Sequence, residues 1–138
     1  MLSPPELQAT PPTIEVATVC TIVAKPSVYF AKRVHVRAKL SIHRHFSLLH
    51  DQGCPTSRLQ LGLSPSGEKD PAWKRIEAER YRPQAGYVRI VLKDIEVKVW
   101  ATVKMRIEDQ YPERPWVYVL EIDKFDEAVI PPFMPPKP

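Results

Sequence analysis

Positively charged side chains are concentrated in one part of this 138-residue chain. The segment from Lys25 to Arg58 contains seven lysines and arginines against one acidic residue, although the formal charge of the whole chain is only +4. Four basic side chains of this segment alternate with apolar ones, so a β-strand would carry them on one face: Arg33, His35, Arg37 and Lys39. Such a face suits a negatively charged ligand.

A second set of basic side chains surrounds a tryptophan in the sequence EVKVWATVKMRIE. Trp100, Lys104 and Arg106 would share one face of a strand here. Cations beside an exposed ring are typical of surfaces that bind single-stranded nucleic acid, because phosphates need positive charge and bases stack on rings. The alternative is structural: alternating strands need polar outer faces, and the proline-rich ends or residues 81–87 would cover the tryptophan. We predict these two sets of residues as the ligand-binding residues.

Patterns for metal binding are weak. His43 and His45 would share a strand face, with His35 and His50 near in sequence. A zinc site, however, needs three or four converging ligands, and polar residues on the wet face of a hairpin explain the spacing equally well. We therefore predict no metal and no cofactor.

Patterns for catalysis are equally weak, because no Gly-x-Ser-x-Gly turn is present. Cys54 lies close in sequence to His50 and Asp51, and together they resemble a nucleophilic cysteine with its base. The proline directly after Cys54 favours a structural role instead. Two carboxylate pairs are expected in solvent, near the end of the last strand and in the loop after it: Glu121 with Asp123, and Asp126 with Glu127. We predict that the protein is not an enzyme.

The two cysteines, Cys20 and Cys54, either form a disulfide or remain separate buried thiols, which pack like small apolar side chains. Cys54 lies in a Gly-Cys-Pro sequence typical of a turn, a position that suits a disulfide better than a core thiol. If bonded, they close a loop of about 35 residues, and the chain-entropy model predicts a stabilisation of roughly 3.5–4 kcal/mol.

Hydrophobic periodicity in the first half predicts three strands. Residues 14–24 have apolar side chains at helical spacing but are rich in β-branched residues, so a helix and a strand both remain open, ending before Pro26. The sequence RVHVRAKLSIH predicts a long strand with Ser41 among the outward residues and with five inward residues: Val34, Val36, Ala38, Leu40 and Ile42. HFSLLHD predicts its partner after a turn near Arg44, and LQLGL predicts a third strand.

The second half predicts one helix and further strands. Residues 64–69 are predicted as a loop, and Asp70-Pro71 begins a helix to about Arg80 that contributes Trp73 and Ile76 to the core. Residues 87–92 are predicted as a strand that turns at Lys93-Asp94. A long strand then has six inward residues (Val97, Val99, Ala101, Val103, Met105 and Ile107), and the last strand has four on one face (Trp116, Tyr118, Leu120 and Ile122).

Strands of this length in a short chain must curl to bury their apolar faces. The order of three strands, a helix and two long strands is typical of an OB-fold. We predict an all-β fold, an OB-fold-like barrel of five or six strands with one or two short helices. Residues 14–130 form this domain, between proline-rich arms at 1–13 and 131–138.

The C-terminal arm has a composition that suits binding. In IPPFMPPKP, Phe133 and Met134 lie between prolines, and this sequence is typical of a pre-extended apolar peptide ligand. The alternative is a terminus that binds nothing. No apolar run approaches the roughly 20 residues that a membrane span requires.

The segment TVCTIVAKPSVYFAKRVHVRAKLSIHRHFSLLHDQGCP resembles a set of small exported bacterial proteins of uncharacterised function. Their pattern is a cysteine in a short helix, a proline, an aromatic residue, a basic strand and a later Asp-x-x-Cys, matched here by Cys20, Pro26, Tyr29, Lys32 to Val36, and Asp51 with Cys54. Ala31 and Ala38 stand where those proteins usually have glycine. The resemblance implies an OB-like barrel, export from the cytoplasm and a bond between Cys20 and Cys54, and it implies no known activity.

We expect a non-catalytic OB-like module of the bacterial envelope that binds a protein or a small polar ligand, in the periplasm or secreted after removal of a leader. No signal peptide follows Met1, so a cytoplasmic location is the alternative. The alternative function is binding of single-stranded nucleic acid through the same basic and aromatic face.

Overall fold

The computed structural model describes residues 16–84, 87–88, 91–105 and 118–132. The elements in chain order are β1 (Ala17–Thr18), α1 (Val19–Ala24), α2 (Pro26–Tyr29), β2 (Arg33–Ile42), β3 (Ser47–His50), β4 (Leu59–Leu63), α3 (Pro65–Glu68), α4 (Pro71–Tyr81), β5 (Pro83–Gln84), β6 (Tyr87–Val88), β7 (Leu92–Met105) and β8 (Tyr118–Val129). None of the helices in these ranges has the length and apolar character that a membrane crossing requires.

Five of the strands form a closed ring. β2 pairs antiparallel with both β3 and β7, β3 with β4, and β7 with β8, while β4 and β8 pair in parallel. The ring therefore runs β2-β3-β4-β8-β7 and back to β2, with β1 as a short parallel strand beside β2. The helix α4 lies between the third and fourth strands of the ring in sequence. This arrangement confirms the predicted OB-like barrel.

The core follows the predicted alternation. All five inward residues of β2 are buried, and so are Val97, Val99, Ala101 and Val103 of β7. Met105 is an exception, because 45% of its surface is exposed. Among the described residues, the inward face of β7 thus ends at Val103, whereas the prediction continued it through Met105. Tyr118, Leu120 and Ile122 of β8 face or pack against the core as expected, while Ile107 and Trp116 lie outside the described residues.

The predicted turn at Lys93-Asp94 is wrong, because both residues lie inside β7. The register between β2 and β7 shifts between Leu40 and Ile42, and Asp94 has a φ of 59° in the left-handed region. This bulge also brings Ser41 into a buried position, contrary to the predicted alternation. The Ser41 hydroxyl accepts a hydrogen bond from the Asp94 N–H at 3.1 Å and lies 2.8 Å from His50 Nε2.

The short helices α1 and α3 begin at side-chain caps. Of the region 14–24 that the sequence left open between helix and strand, Ala17–Thr18 form β1 and Val19–Ala24 form α1, which ends before Pro26 as predicted. The Thr18 hydroxyl accepts from the Thr21 N–H at 3.2 Å. The predicted loop at residues 64–69 is wrong: it contains α3, where Ser64 Oγ accepts from the Gly67 N–H at 3.1 Å. A β-carbon at Gly67 would overlap the carbonyl oxygen of Ile122, so only glycine lets α3 approach β8 this closely.

The helix α4 begins where the sequence predicts. Asp70 Oδ1 accepts from the Ala72 N–H at 2.8 Å, and Pro71 occupies the first turn. Trp73 and Ile76 are buried, as predicted, so this helix covers the barrel core with the face that carries them.

Ala31, between α2 and β2, provides a test of backbone strain. Its φ of 65° costs an L-residue about 1–2 kcal/mol. Glycine avoids that strain but loses about 0.5–1 kcal/mol more chain entropy on folding. We expect Ala31→Gly to raise the free energy of unfolding by about 0.5–1 kcal/mol in urea denaturation. The matched control is Ala24→Gly at the end of α1, which should lower it; a loss of stability in both variants would contradict the argument.

Candidate functional site

The predicted ligand-binding residues lie side by side on the outer faces of β2 and β7. In the register of these strands His35 is opposite Trp100, Arg37 is opposite Lys98, and Lys39 is opposite Glu96. Lys104 lies near the end of β7, and Arg106 lies outside the described residues. The structure thus brings the described members of the predicted set together, and it adds a third strand, β8, whose acidic side chains contact part of the set.

Carboxylates of β8 neutralise one half of this face. Asp123 Oδ2 accepts from Arg33 Nη2 at 2.8 Å and from Arg33 Nε at 3.1 Å, and Glu121 pairs with Lys104 at 2.9 Å. Glu121 and Asp123 lie in β8, within the predicted last strand, but Asp126 and Glu127 were predicted in the loop after it and also lie inside β8, which continues to Val129. The strand is longer than predicted because two register shifts between β7 and β8 interrupt the alternation of side chains after Ile122.

The Trp100 ring is covered by two of the predicted residues. The His35 imidazole stacks on it with 4.4 Å between centroids and 4° between planes, and the Arg33 guanidinium carbon lies 4.7 Å from its centroid. His35 Nε2 is 2.8 Å from Asp126 Oδ2, within ion-pair distance but not aligned as a hydrogen bond. We call Arg33, His35, Trp100, Asp123 and Asp126 the Trp100 cluster. Its charged groups are paired with one another, so it offers little to an external anion.

The other half of the face is a depression with a volume of about 480 Å³, which we call the charged concavity. Within the described ranges, its charged side chains form neither ion pairs nor hydrogen bonds. The lining residues are Thr18, Arg37, Ala38, Lys39, Asp51, Glu96, Val97, Lys98 and Glu127. Of the predicted ligand-binding residues, Arg33, His35 and Trp100 thus belong to the Trp100 cluster. Arg37 and Lys39 line the charged concavity.

A separate groove lies over β3 and β4, and the sequence-based prediction missed it. Its volume is about 600 Å³ and we call it the aromatic groove; it is lined by Val23, His45, Phe46, Ser47, Leu48, Thr56, Ser57, Arg58, Gln60 and Leu61. Strands two and three of an OB barrel form the face on which such folds commonly bind ligands. The signal in the sequence is Phe46, an aromatic residue at a hairpin turn.

The β2–β3 hairpin presents Phe46 to solvent. The His43 N–H donates to the Phe46 carbonyl at 2.8 Å, which closes the turn. The Phe46 ring stacks on the His43 ring at 4.6 Å, and 55% of the Phe46 surface remains exposed. Arg58 lines the same groove, whose lining residues include no carboxylate. The groove therefore combines a supported ring, one cation and several hydroxyl or amide groups.

The histidines lie in separate surroundings. His35 belongs to the Trp100 cluster, His43 stacks on Phe46, and His50 contacts Ser41 and Asp94. Burial lowers the pKa of His50 below its usual value, although the nearby Asp94 carboxylate opposes this. In the part of the chain that the structure describes, no three His, Cys, Asp or Glu side chains are grouped as a metal site.

Cys54 forms a disulfide with Cys20, as predicted. The bond joins α1 to the loop between β3 and β4, with Gly53 against the Cys20 sulfur. Cys54 therefore has no free thiol that could act with His50 and Asp51, and the structural role is confirmed.

Comparison with known proteins shows a similar fold in a solved structure but identifies no family. No protein-family model and no curated protein matches the sequence. A crystal structure of a putative aspartyl-tRNA synthetase from Leishmania major Friedlin is similar, with a TM-score of 0.51 and 18% identity over 91% of this chain and 23% of that one. The chain thus spans about a quarter of that protein's length. At this identity, the similarity shows a shared barrel fold alone.

Proposed function

We propose that this chain is a non-catalytic assembly module of the bacterial envelope, which binds an extended proline-rich peptide in the aromatic groove. The observation that carries the proposal is the exposed Phe46 ring, held by His43 at the mouth of a groove that contains no carboxylate. Export is supported by the Cys20–Cys54 bond, because disulfides persist mainly in oxidising compartments.

The chemistry of the groove fits a polyproline-type helix. Such a peptide is already extended, has no internal hydrogen bonds and leaves its carbonyl groups free. Proline-rich segments commonly bind grooves lined by aromatic rings, where little conformational entropy is lost. Phe46 supplies the ring, while Arg58 and Ser57 carry donors that suit the carbonyl groups. The chain itself contains such a segment, IPPFMPPKP, so one copy can supply the ligand of another.

Titration of a synthetic IPPFMPPKP peptide into the ¹⁵N-labelled full chain tests the proposal. We expect saturable chemical-shift changes at residues that line the aromatic groove. Phe46→Ala should weaken the peptide affinity about tenfold, because aromatic anchors in a groove commonly contribute 1–2 kcal/mol or more. The matched control is Phe30→Ala, another exposed aromatic residue, which does not line the groove.

A second titration uses the same peptide with every proline replaced by alanine. It tests whether the groove recognises the extended polyproline conformation or only the remaining side chains. Loss of binding would support recognition of the extended helix. Equal binding of both peptides, or unchanged affinity of the Phe46→Ala variant, would contradict the proposal.

Binding of single-stranded nucleic acid is the second candidate. The aromatic groove suits a nucleic acid better than the Trp100 cluster does, because Arg58 and Phe46 line the groove with no carboxylate among the lining residues. At the cluster, phosphates would have to displace Asp123 and Asp126. The similar solved structure is also described as a tRNA synthetase. An oligothymidylate that binds the groove and loses affinity steeply between about 50 and 200 mM salt would replace the peptide proposal.

A further inference from the structure

We infer that the charged concavity is a second binding site, which takes small dipolar molecules that carry both a carboxylate and an ammonium group. This inference goes beyond the proposed function, because it concerns another face of the barrel and a different class of ligand. It rests on the positions of the charges, the shape of the surface and the contrast with the neighbouring Trp100 cluster.

The cationic side of the concavity consists of like charges placed opposite each other. Arg37 of β2 and Lys98 of β7 are direct partners in the antiparallel register. Like charges at directly opposed positions destabilise a sheet. Neither side chain forms an ion pair within the described residues, so no neighbouring carboxylate there relieves the repulsion at contact distance. A ligand carboxylate between them would accept hydrogen bonds from both.

The carboxylates of the same depression lie around these cations. Glu127 of β8 is opposite Lys98, and Glu96 of β7 is opposite Lys39, but neither opposed pair forms an ion pair within the described residues. Asp51, from the loop after β3, also lines the depression, on the side of β2 away from β7. These carboxylates suit an ammonium group, which has only hydrogen-bond donors. An exclusively anionic ligand would be repelled by them.

The Trp100 cluster shows that this face can satisfy its charges internally. Arg33 forms hydrogen bonds with Asp123, and Lys104 pairs with Glu121 at 2.9 Å, a few residues along the same strands. In the concavity, by contrast, equally many cations and carboxylates lie apart around a volume of about 480 Å³. That volume is within the range of sites for small molecules. Separated opposite charges in a depression favour a ligand that carries both.

The test uses the full chain and three probes at constant ionic strength, followed by ¹⁵N chemical shifts. Glycylglycine carries both charges, its acetylated and amidated form carries neither, and inorganic phosphate is an anion alone. We expect saturable binding of glycylglycine at millimolar concentrations, with shifts at Arg37, Lys98 and Glu127, and no saturation with the capped form. Equal binding of the capped form, preferred binding of phosphate, or no saturation with glycylglycine would overturn the inference.

Variants of the concavity sharpen this result. Arg37→Gln and Lys98→Gln should each weaken glycylglycine binding about tenfold, because a charge-assisted hydrogen bond is lost. Without ligand, Arg37→Gln should unfold at a higher temperature than the parent, because the repulsion between the opposed cations is gone, whereas Lys98→Gln also loses the attraction of Glu127 opposite it and should shift the unfolding temperature less. Lys74→Gln, an exposed lysine on α4 outside the concavity, should change neither property. Unchanged affinity in the two concavity variants would overturn the site even if glycylglycine binds elsewhere.

Discussion

Replacing both cysteines with serine is expected to lower the free energy of unfolding by roughly 3.5–4 kcal/mol. Cys20 and Cys54 are 34 residues apart in sequence, and their bond restricts a loop that is otherwise free in the unfolded chain. Small domains commonly have total stabilities of about 5–15 kcal/mol, so this loss removes a large fraction. Urea denaturation of the oxidised parent and of the C20S/C54S variant measures the difference.

The parent protein in reductant is the matched control, because it lacks the bond but keeps both sulfur atoms. We expect its denaturation midpoint to approach that of the double serine variant. Val23 of α1 lines the aromatic groove, so reduction should also weaken binding of the IPPFMPPKP peptide. A loss below about 1 kcal/mol would mean that the packing of α1 holds the segment without the bond, against the entropy argument.

The second large effect is expected at Asp70, whose carboxylate joins α4 to β8. Asp70 Oδ1 accepts from the Ala72 N–H at 2.8 Å, and Oδ2 accepts from the Phe125 N–H at 2.9 Å. Asp70→Ala removes the helix cap, which costs about 0.5–2 kcal/mol, and leaves the N–H of a buried residue unpaired, which costs about 1–3 kcal/mol. We expect a total loss of about 2–4 kcal/mol in urea denaturation.

Two further variants identify the source of this loss. Asp70→Asn keeps one side-chain oxygen as an acceptor but not both, so its stability should fall between the parent and Asp70→Ala. Asp123→Ala breaks the ion pair with Arg33, whose side chain is 51% exposed, and should cost less than about 1 kcal/mol. If Asp123→Ala were as destabilising as Asp70→Ala, the proposed link between α4 and β8 would not explain the effect.

Local patterns predicted the barrel because each depends on residues close in sequence. The alternation from Val34 to Ile42 identified β2, and the Asp70-Pro71 pair identified the start of α4. Where the backbone departs from regular geometry, the same patterns failed. The bulge at Asp94 extended β7 through a predicted turn and moved Ser41 into the interior.

The candidate site was only partly predictable from the sequence. The basic face of β2 was found, since its residues share a strand, but the acidic residues that neutralise half of it lie far away in the chain. Arg33 and Asp123 are 90 residues apart and meet only because β7 pairs with β2 on one side and β8 on the other. The aromatic groove depends on the hairpin that positions Phe46 beside Arg58, a proximity that no short pattern records.

The sequence by itself determined which strands bury most of their alternate residues and where α4 begins, because side-chain periodicity and capping are local properties. Tertiary structure alone decided which charges are paired and which remain open, because that depends on strand register across the barrel. A shift of one residue between β7 and β8 changes which carboxylate faces each cation. The division of one basic face into the Trp100 cluster and the charged concavity follows from that register.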